Sequence, residues 1–442
     1  MIMWHPGCQR GVCYDGSMTA NRSQVKFPKK FLWGAATSAH QVEGGLHNQW
    51  TVWELENAKR LAIQSPYRFG KLGNWSAISR EAKNPNNYVS GRAVDHFNRY
   101  EQDFEIAKSL NLNSLRCSIE WSRIEPKEGE WSQEAIDHYR AYFKKMKEMG
   151  LEPVVTLFHF TLPVWFADMG GFEKTQNVRC FVRFAEKVLN ELGDSFKWVI
   201  TVNEPEVYVT ESYRHGEWPP QKNSRVAEFR VLLNLALAHR LVVSRARGAG
   251  SKFKFSIAKN SSYIYAGDDA WLSRFSAKLF TWRRDDWFLW FVAKHCDFIG
   301  LNYYFSDRIY GYRAHNPNYQ LNDLGWDMQP ANIQFVLERL SSRYGLPILI
   351  TENGLADGTD EQRQWWITET IRAMSASTRD GVKLIGYLHW SLLDNFEWDK
   401  GFWPKFGLVS VNRSTMQRTP RPSAKWLGGV IGRLSKYLFW VE

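Results

Sequence analysis

Eight short apolar runs recur along this chain, and the stretches between them carry apolar residues at helical spacing. The runs are Phe31–Ala36, Ser114–Ser118, Pro153–Leu157, Trp198–Val202, Lys254–Ala258, Phe298–Leu301, Ile348–Thr351 and Leu384–His389. Runs this short, bounded by helical patterns, read as buried parallel strands. Ile136, Tyr139, Phe143, Met146 and Met149 trace one helical face that stops at Gly150. Phe181, Phe184, Ala185, Val188 and Leu192 trace another that stops at Gly193. Each predicts a helix closed by a glycine C-cap. Eight such βα units close into a (β/α)8 TIM barrel of the α/β class, a fold that covers from about 200 to over 400 residues as one domain.

No linker, low-complexity tract, fixed-period repeat or composition break divides the 442 residues. A single barrel domain over residues 25–442 is therefore expected. Residues 1–24 are polar and contain glycine, and read as a disordered tail, with Met18 as an alternative start. Residues 57–94 are rich in Asn, Gly, Ser and Pro, and read as a long loop walling one side of the barrel mouth. Residues 260–290 carry Tyr263, Tyr265, Trp271, Trp282, Trp287 and Trp290, which read either as a second wall or as helix core.

Several function classes are set aside by composition. Lys and Arg total 57 against 46 Asp and Glu, so the formal charge is +11, which raises nucleic acid or an anionic membrane as partners. The positive residues read as scattered over a solvated surface, with no basic run carrying interleaved aromatics. Neither nucleic acid nor membrane is expected as a partner. No apolar N-terminal run resembles a signal peptide and no run reaches 18 apolar residues, so a cytoplasmic location is expected. The five cysteines are odd in number and far apart, as reduced thiols are. Cys8 and Cys13 lack a second pair nearby, so no metal is expected, and no glycine-rich phosphate cradle suggests a cofactor.

Two of the runs end in glutamate. Thr201-Val202-Asn203-Glu204-Pro205 and Ile350-Thr351-Glu352-Asn353-Gly354 put Glu204 and Glu352 at C-terminal strand ends, about 150 residues apart. In a barrel all such ends meet on the face that holds the active site. Two carboxyls there are the equipment for cleaving a glycosidic bond. One must stay protonated to act as acid, and the other ionised to act as nucleophile. The other strand ends bring Arg116, His159, Asn203, Asn302, Tyr304, Trp390, Glu397 and Trp398 to the same face. An arginine beside a carboxylate keeps it ionised, and a tyrosine hydroxyl can donate to it. Amides, imidazoles and carboxylates suit hydroxyl-rich ligands. Sugar C–H faces pack on aromatic rings, and 22 Trp are available, although most single Trp are expected to fill the barrel–helix interface.

Taken in order, the motifs resemble glycoside hydrolase family 1, the retaining β-glucosidase and β-galactosidase family. The match is carried by residues 31–44 (FLWGAATSAHQVEG), 116–126, 201–205, 297–304 (DFIGLNYY), 350–354 and 389–398 (HWSLLDNFEW). The resemblance implies Glu204 as acid/base with Asn203 beside it, and Glu352 as nucleophile flanked by Arg116 and Tyr304. It implies that Gln41, His159 and Glu397 hold sugar hydroxyls with Trp398 beside them, that Trp390 is a stacking platform and that Phe406 lies near the glycone pocket. Asn302 joins them within its motif. The substrate implied is a terminal non-reducing β-D-glucoside, with galactosides and fucosides alongside, and no cofactor. A 6-phospho-β-glycosidase of the same family is the alternative. It is expected to carry a small residue in place of Glu397, and Lys400 and Lys405 lie close to that position. A catalytically inactive sugar-binding homologue is a further alternative. Cys117 stands where an aromatic is common, which predicts looser packing under the site. Glu120 and Glu125 read as structural, and His40 and Glu43 are near the pocket without a direct contact.

Overall fold

The computed structural model describes residues 27–316 and 320–437. The expected tail, with Cys8 and Cys13, lies outside them. Eight strands form a closed, all-parallel barrel: β1 Leu32–Ala36, β2 Ser114–Ser118, β3 Glu152–Phe158, β4 Trp198–Asn203, β5 Lys254–Asn260, β6 Ile299–Tyr303, β7 Ile348–Asn353 and β8 Leu384–Trp390. Neighbours in space follow chain order, and β8 closes against β1. The (β/α)8 barrel is a single domain.

Six of the eight strands run one to two residues past the C-terminal limit expected from sequence. The apolar runs stop at the last hydrophobic residue, whereas the hydrogen-bonded ladder continues through polar ends such as Asn203, Asn260 and Asn353. The backbone pairs whether or not the side chain is apolar. These polar extensions are what project into the barrel mouth. Below them Ala36, Val154, Ile200, Ala258, Phe298, Leu349 and Leu388 fill the barrel interior. The wider core lies between barrel and helices, where Val178–Leu192 buries Phe181, Phe184, Ala185, Val188 and Leu192.

Gly193 is the C-cap of the Val178–Leu192 helix as expected, with a right-handed backbone at φ −63°. A glycine is needed there because a Cβ would fall 2.4 Å from the Phe253 ring. Residues 57–94 are not a loop but largely two helices, Gln49–Phe69 and Trp75–Ala82. Trp50, Trp53, Ala58, Leu61, Ala62, Ser65 and Phe69 form the buried face of the first, a helical spacing masked by its Asn, Ser and Pro content. Asn48 caps it by accepting from the Thr51 amide at 3.0 Å, while Thr51 Oγ1 accepts from the Asn48 amide. The segment does brace the barrel mouth, since Asn87 Nδ2 donates to the Lys400 carbonyl at 2.9 Å and Arg68 pairs with Asp399. Residues 260–290 are neither wall nor core alone. They form a strand, Tyr263–Ala266, in a small sheet with Ser306–Tyr310, then helices whose Trp271, Trp282 and Trp290 face solvent.

Cys117, Cys180 and Cys296 are free and buried. Burial pushes the Cys117 thiol up to about 12. Among the described residues no helix is long and apolar enough to cross a membrane.

A C-terminal hairpin, Val409–Asn412 with Gln417–Pro420, is tied to the barrel by a buried ion pair. Arg418 Nε donates to Asp103 Oδ1 at 2.9 Å, and His96 Nδ1 lies 2.8 Å from Oδ2. Removing one partner of a buried pair leaves an uncompensated charge. Arg418→Met is therefore expected to destabilise the fold by about 3–5 kcal/mol, read as a lower urea midpoint. Adding Asp103→Asn to it is expected to recover part of that loss.

Candidate active site

Arg116, fully buried on β2, organises the mouth of the barrel. Its Nε donates to Thr156 Oγ1 on β3 at 2.9 Å. Its Nη1 donates to Glu352 Oε1 on β7 at 2.5 Å, and Nη2 to Asn203 Oδ1 on β4 at 2.7 Å. Tyr304 OH donates to the other oxygen of Glu352 at 2.6 Å. Burial raises the Glu352 carboxyl above its ordinary value, while the Arg116 charge and the Tyr304 and Arg116 bonds pull it back.

These bonds fix their neighbours. Asn203 Oδ1 also accepts from Asn302 Nδ2 at 3.2 Å, so its Nδ2 must face His159 Nε2, 3.2 Å away. Nε2 is then the acceptor, and the proton of the imidazole sits on Nδ1, which is buried with no partner among the described residues. Burial, with the Arg116 and His40 charges, pushes His159 well below its ordinary value, so the ring is neutral. Thr351 Oγ1 donates to Asn302 Oδ1 at 2.6 Å, which orients the Asn302 amide.

Glu204 leaves β4 in a left-handed conformation, φ +41°, just before Pro205 starts a short helix. Its amide donates to the Ala258 carbonyl at 2.8 Å. Its Oε1 accepts from Asn302 Nδ2 at 2.8 Å and Asn260 Nδ2 at 2.9 Å. Burial and the nearby Glu352 charge push its carboxyl up to about 7, against the lowering effect of Asn302, Asn260 and Arg116. The register of β4 against β5 shifts between Ile200 and Asn203, and that of β7 against β6 between Ile350 and Glu352. Both irregularities fall just before the carboxyls and re-aim them into the mouth.

The remaining expected residues form an aromatic and polar rim. The His159 ring lies nearly parallel to both Trp390 and Trp398, at centroid distances of 6.0 and 6.1 Å. Trp398 has a left-handed backbone and is held by Trp50, Trp218 and the stacked ring of His40. His40 itself is tied to Glu54, which agrees with an indirect role. Gln41 Nε2 donates to the Phe396 carbonyl at 2.7 Å and reaches Glu397 Oε2 at 3.5 Å. Phe406 is buried and packs edge-on against Tyr304. The structure thus brings all twelve expected site residues to one end of the barrel. Glu120 and Glu125 lie in hydrogen-bond networks with Asn48, Ser122 and Thr161, and with Trp121, Gly129 and Arg183.

Glu397 departs from expectation. A plain carboxylate is implied by the sequence, yet burial, with Asp399, Glu352 and Glu204 nearby, pushes it up to about 8 despite Lys400. Near neutrality it is mostly protonated. Lys400 Nζ is turned to Asp399 Oδ1 at 3.0 Å, and Lys405 Nζ to the Phe402 carbonyl.

Sequence reasoning missed Asn260, Thr156, Thr351 and Trp326, the last packed against Tyr304 and Phe406. Asn260 was within reach, because every strand end of a barrel faces the mouth and the fifth run was read only to Ala258. Gly354 also has a steric role, since a Cβ there would fall 1.8 Å from the Trp390 carbonyl oxygen. Among the described residues no group of three or more His, Cys, Asp or Glu is placed to hold a metal ion.

The model of glycosyl hydrolase family 1 matches residues 23–289 and 284–435. The chain belongs to that family. It is 30% identical to β-glucosidase A of Thermotoga maritima, over 92% of this chain and 98% of that one. It is 29% identical to β-glucosidase A of Acetivibrio thermocellus, over 92% and 99%. Among solved structures, a β-glycosidase from Pyrococcus horikoshii superposes with a TM-score of 0.81 at 33% identity, covering 93% of this chain and 96% of that one. The Thermotoga maritima β-glucosidase in complex with glucoimidazole superposes with a TM-score of 0.81 at 26% identity, covering 93% and 100%. The protein is a family 1 O-glycosyl hydrolase of the β-glucosidase type.

The Glu204 environment sets a pH dependence. Its raised value means that it holds a proton below about 7 and loses it above. The basic limb of kcat/KM for an aryl β-glycoside is expected near pH 7. Asn260→Ala removes a bond that favours the ionised form, so it is expected to move that limb to higher pH. An unmoved limb in this variant would assign the titration to another group.

Proposed function

We propose that the enzyme hydrolyses terminal non-reducing β-D-glucosyl residues by double displacement, through a covalent glycosyl-enzyme and with retention of anomeric configuration. The observation that carries this reading is the different bonding of the two carboxyls. Glu352 is the one that takes a guanidinium bond, and Glu204 is pushed up to about 7 beside it.

In the first step Glu352 attacks the anomeric carbon while Glu204 gives its proton to the departing glycosidic oxygen. The resulting ester carries no charge at residue 352. That charge is the second-largest cause of the Glu204 elevation, so its loss lowers the Glu204 carboxyl. Glu204 is then suited to take a proton from the water that cleaves the ester. Tyr304 and Arg116 hold Glu352 in line for attack. His159, the amides of Asn203, Asn302 and Gln41, and Glu397 meet the sugar hydroxyls. Trp390 provides the apolar face, flanked by Trp398 and Phe406.

The glucosyl preference draws support from the relatives named β-glucosidase A and from the 1,4-β-D-glucan glucohydrolase of Thermotoga neapolitana, 28% identical to this chain. Galactosides differ from glucosides only in the orientation of the 4-hydroxyl and fucosides also lack the 6-hydroxyl, differences that the same donors can meet, and we include them as secondary substrates. A 6-phosphorylated sugar lacks a cation to meet it, since Lys400 and Lys405 are engaged elsewhere.

Glu352→Gly is expected to abolish turnover of an aryl β-glucoside, and azide to restore it with the α-glycosyl azide as product. A β-azide would point instead to loss of the residue at 204's position in the mechanism. Glu204→Ala is expected to retain the first step only for substrates with good leaving groups, seen as a burst followed by slow turnover. An aryl β-glucoside 6-phosphate is expected to show at least about a hundredfold lower kcat/KM than the unphosphorylated glucoside. The origin is the desolvation cost, on the order of a few kcal/mol, of burying a phosphate dianion with no cation to pair with it.

A further inference from the structure

The Trp271–Thr281 helix is turned inside out. Its buried face consists of Ser273, Ser276 and Ala277. Its outer face carries Trp271, Leu272, Phe275 and Leu279, and the turn that follows adds Trp282. Trp271 is 71% exposed, Phe275 58% and Trp282 49%. Large apolar side chains on the water side of an amphipathic helix mark a surface that is covered in use.

The same face is cationic. Arg274, Lys278 and Arg283 stand exposed among the aromatics, and none has an ion-pair partner among the described residues. The neighbouring hairpin turn, fastened by Gly311 N to Ser273 Oγ at 2.7 Å, adds exposed Tyr312 and Arg313. The segment that follows Trp282 also exposes Trp290, at 70%. The acidic residues nearby are Asp268 and Asp269 ahead of the helix, Asp285 and Asp286, which are buried against Arg339 and Arg343, and Asp307 and Glu228, which are paired with Arg284 and Arg214. Beneath the helix lies a cleft of about 420 Å³, lined on its polar side by Arg274, Lys278, Arg343 and Asp286.

Residues 271–284 read Trp-Leu-Ser-Arg-Phe-Ser-Ala-Lys-Leu-Phe-Thr-Trp-Arg-Arg. This is a basic run with interleaved aromatics, the pattern that the reading of scattered charge passed over. We propose that this helix seats the enzyme on the surface of an anionic lipid bilayer, with the aromatics in the interface and the cations on the lipid headgroups. The choice of occupant follows from charge. A second copy docking through this face would set Arg274, Lys278 and Arg283 against their own counterparts, whereas an anionic surface neutralises them. The chain's +11 charge acts in the same direction. The helix begins eleven residues after Asn260, the β5 residue bonded to Glu204, so the surface lies on the catalytic side of the barrel.

The test is cosedimentation of the full chain with vesicles of phosphatidylcholine alone or with a quarter phosphatidylglycerol, alongside light scattering. Binding is expected to be at least about tenfold stronger on the anionic vesicles and to weaken with salt. The triple variant Trp271→Ser, Phe275→Ser, Trp282→Ser is expected to lose binding to both vesicle types. The triple variant Arg274→Glu, Lys278→Glu, Arg283→Glu is expected to lose the anionic preference. Both are expected to turn over a soluble aryl β-glucoside as the parent does, which also reports that they fold. Absence of vesicle binding by the parent, or binding that neither variant changes, overturns the proposal. A parent dimer that the serine variant dissociates also overturns it and assigns the face to a second copy.

Discussion

A buried guanidinium determines the order of the catalytic end. Arg116 has no water to solvate it, so its charge and its donors must be met by protein. Glu352 meets the charge, and Thr156, Asn203 and the Thr351 carbonyl, 3.4 Å away, accept from three further N–H groups. Four strands are thereby held in mutual register at their C-terminal ends. The consequences spread outward by elimination. Arg116 fixes which way the Asn203 amide points, that amide fixes the His159 tautomer, and Asn302 links Asn203 to Glu204. A rigid constellation follows from satisfying one charge.

The same interaction divides three carboxyls into different chemical roles. Glu204, Glu352 and Glu397 are buried at one end of the barrel, where Glu352 raises both others and Glu204 raises Glu397. Only Glu352 among them takes a bond from Arg116. Burial and like charge push Glu204 up to about 7 and Glu397 up to about 8, whereas the guanidinium bond draws Glu352 back down. The three carboxyls are thus set apart by placement rather than by residue type.

The segment after β5 serves both the site and the surface. Asn260 reaches Glu204, and within a few residues the chain forms a small sheet and then a helix whose aromatic face is turned to water. Chemistry at the barrel mouth and a lipid-facing surface would be coupled by short connection rather than by a separate domain.

Much of this was legible in the sequence. β-Branched runs bounded by helical spacing specify the barrel because local periodicity and strand burial act over a few residues. Glu204 and Glu352 were legible because a barrel sends every strand end to one face. Where the sequence reading fell short, the deciding force was non-local. The ends of β5 and β7 are polar, so their pairing depends on neighbouring strands rather than on their own hydrophobicity. The Gln49–Phe69 helix hid behind a composition that suggests loop, and packing against the barrel decided it. The upward shift of Glu397 and the neutral state of His159 arise from burial and from charges on other strands, such as Glu352 beside Glu397 and Arg116 beside His159. The outward face of Trp271, Phe275 and Trp282 depends on which side of the helix the small sheet covers. Residue types and their order determined the fold, the family and the catalytic inventory. Tertiary structure alone decided protonation, orientation and exposure, because each depends on what surrounds a group in space.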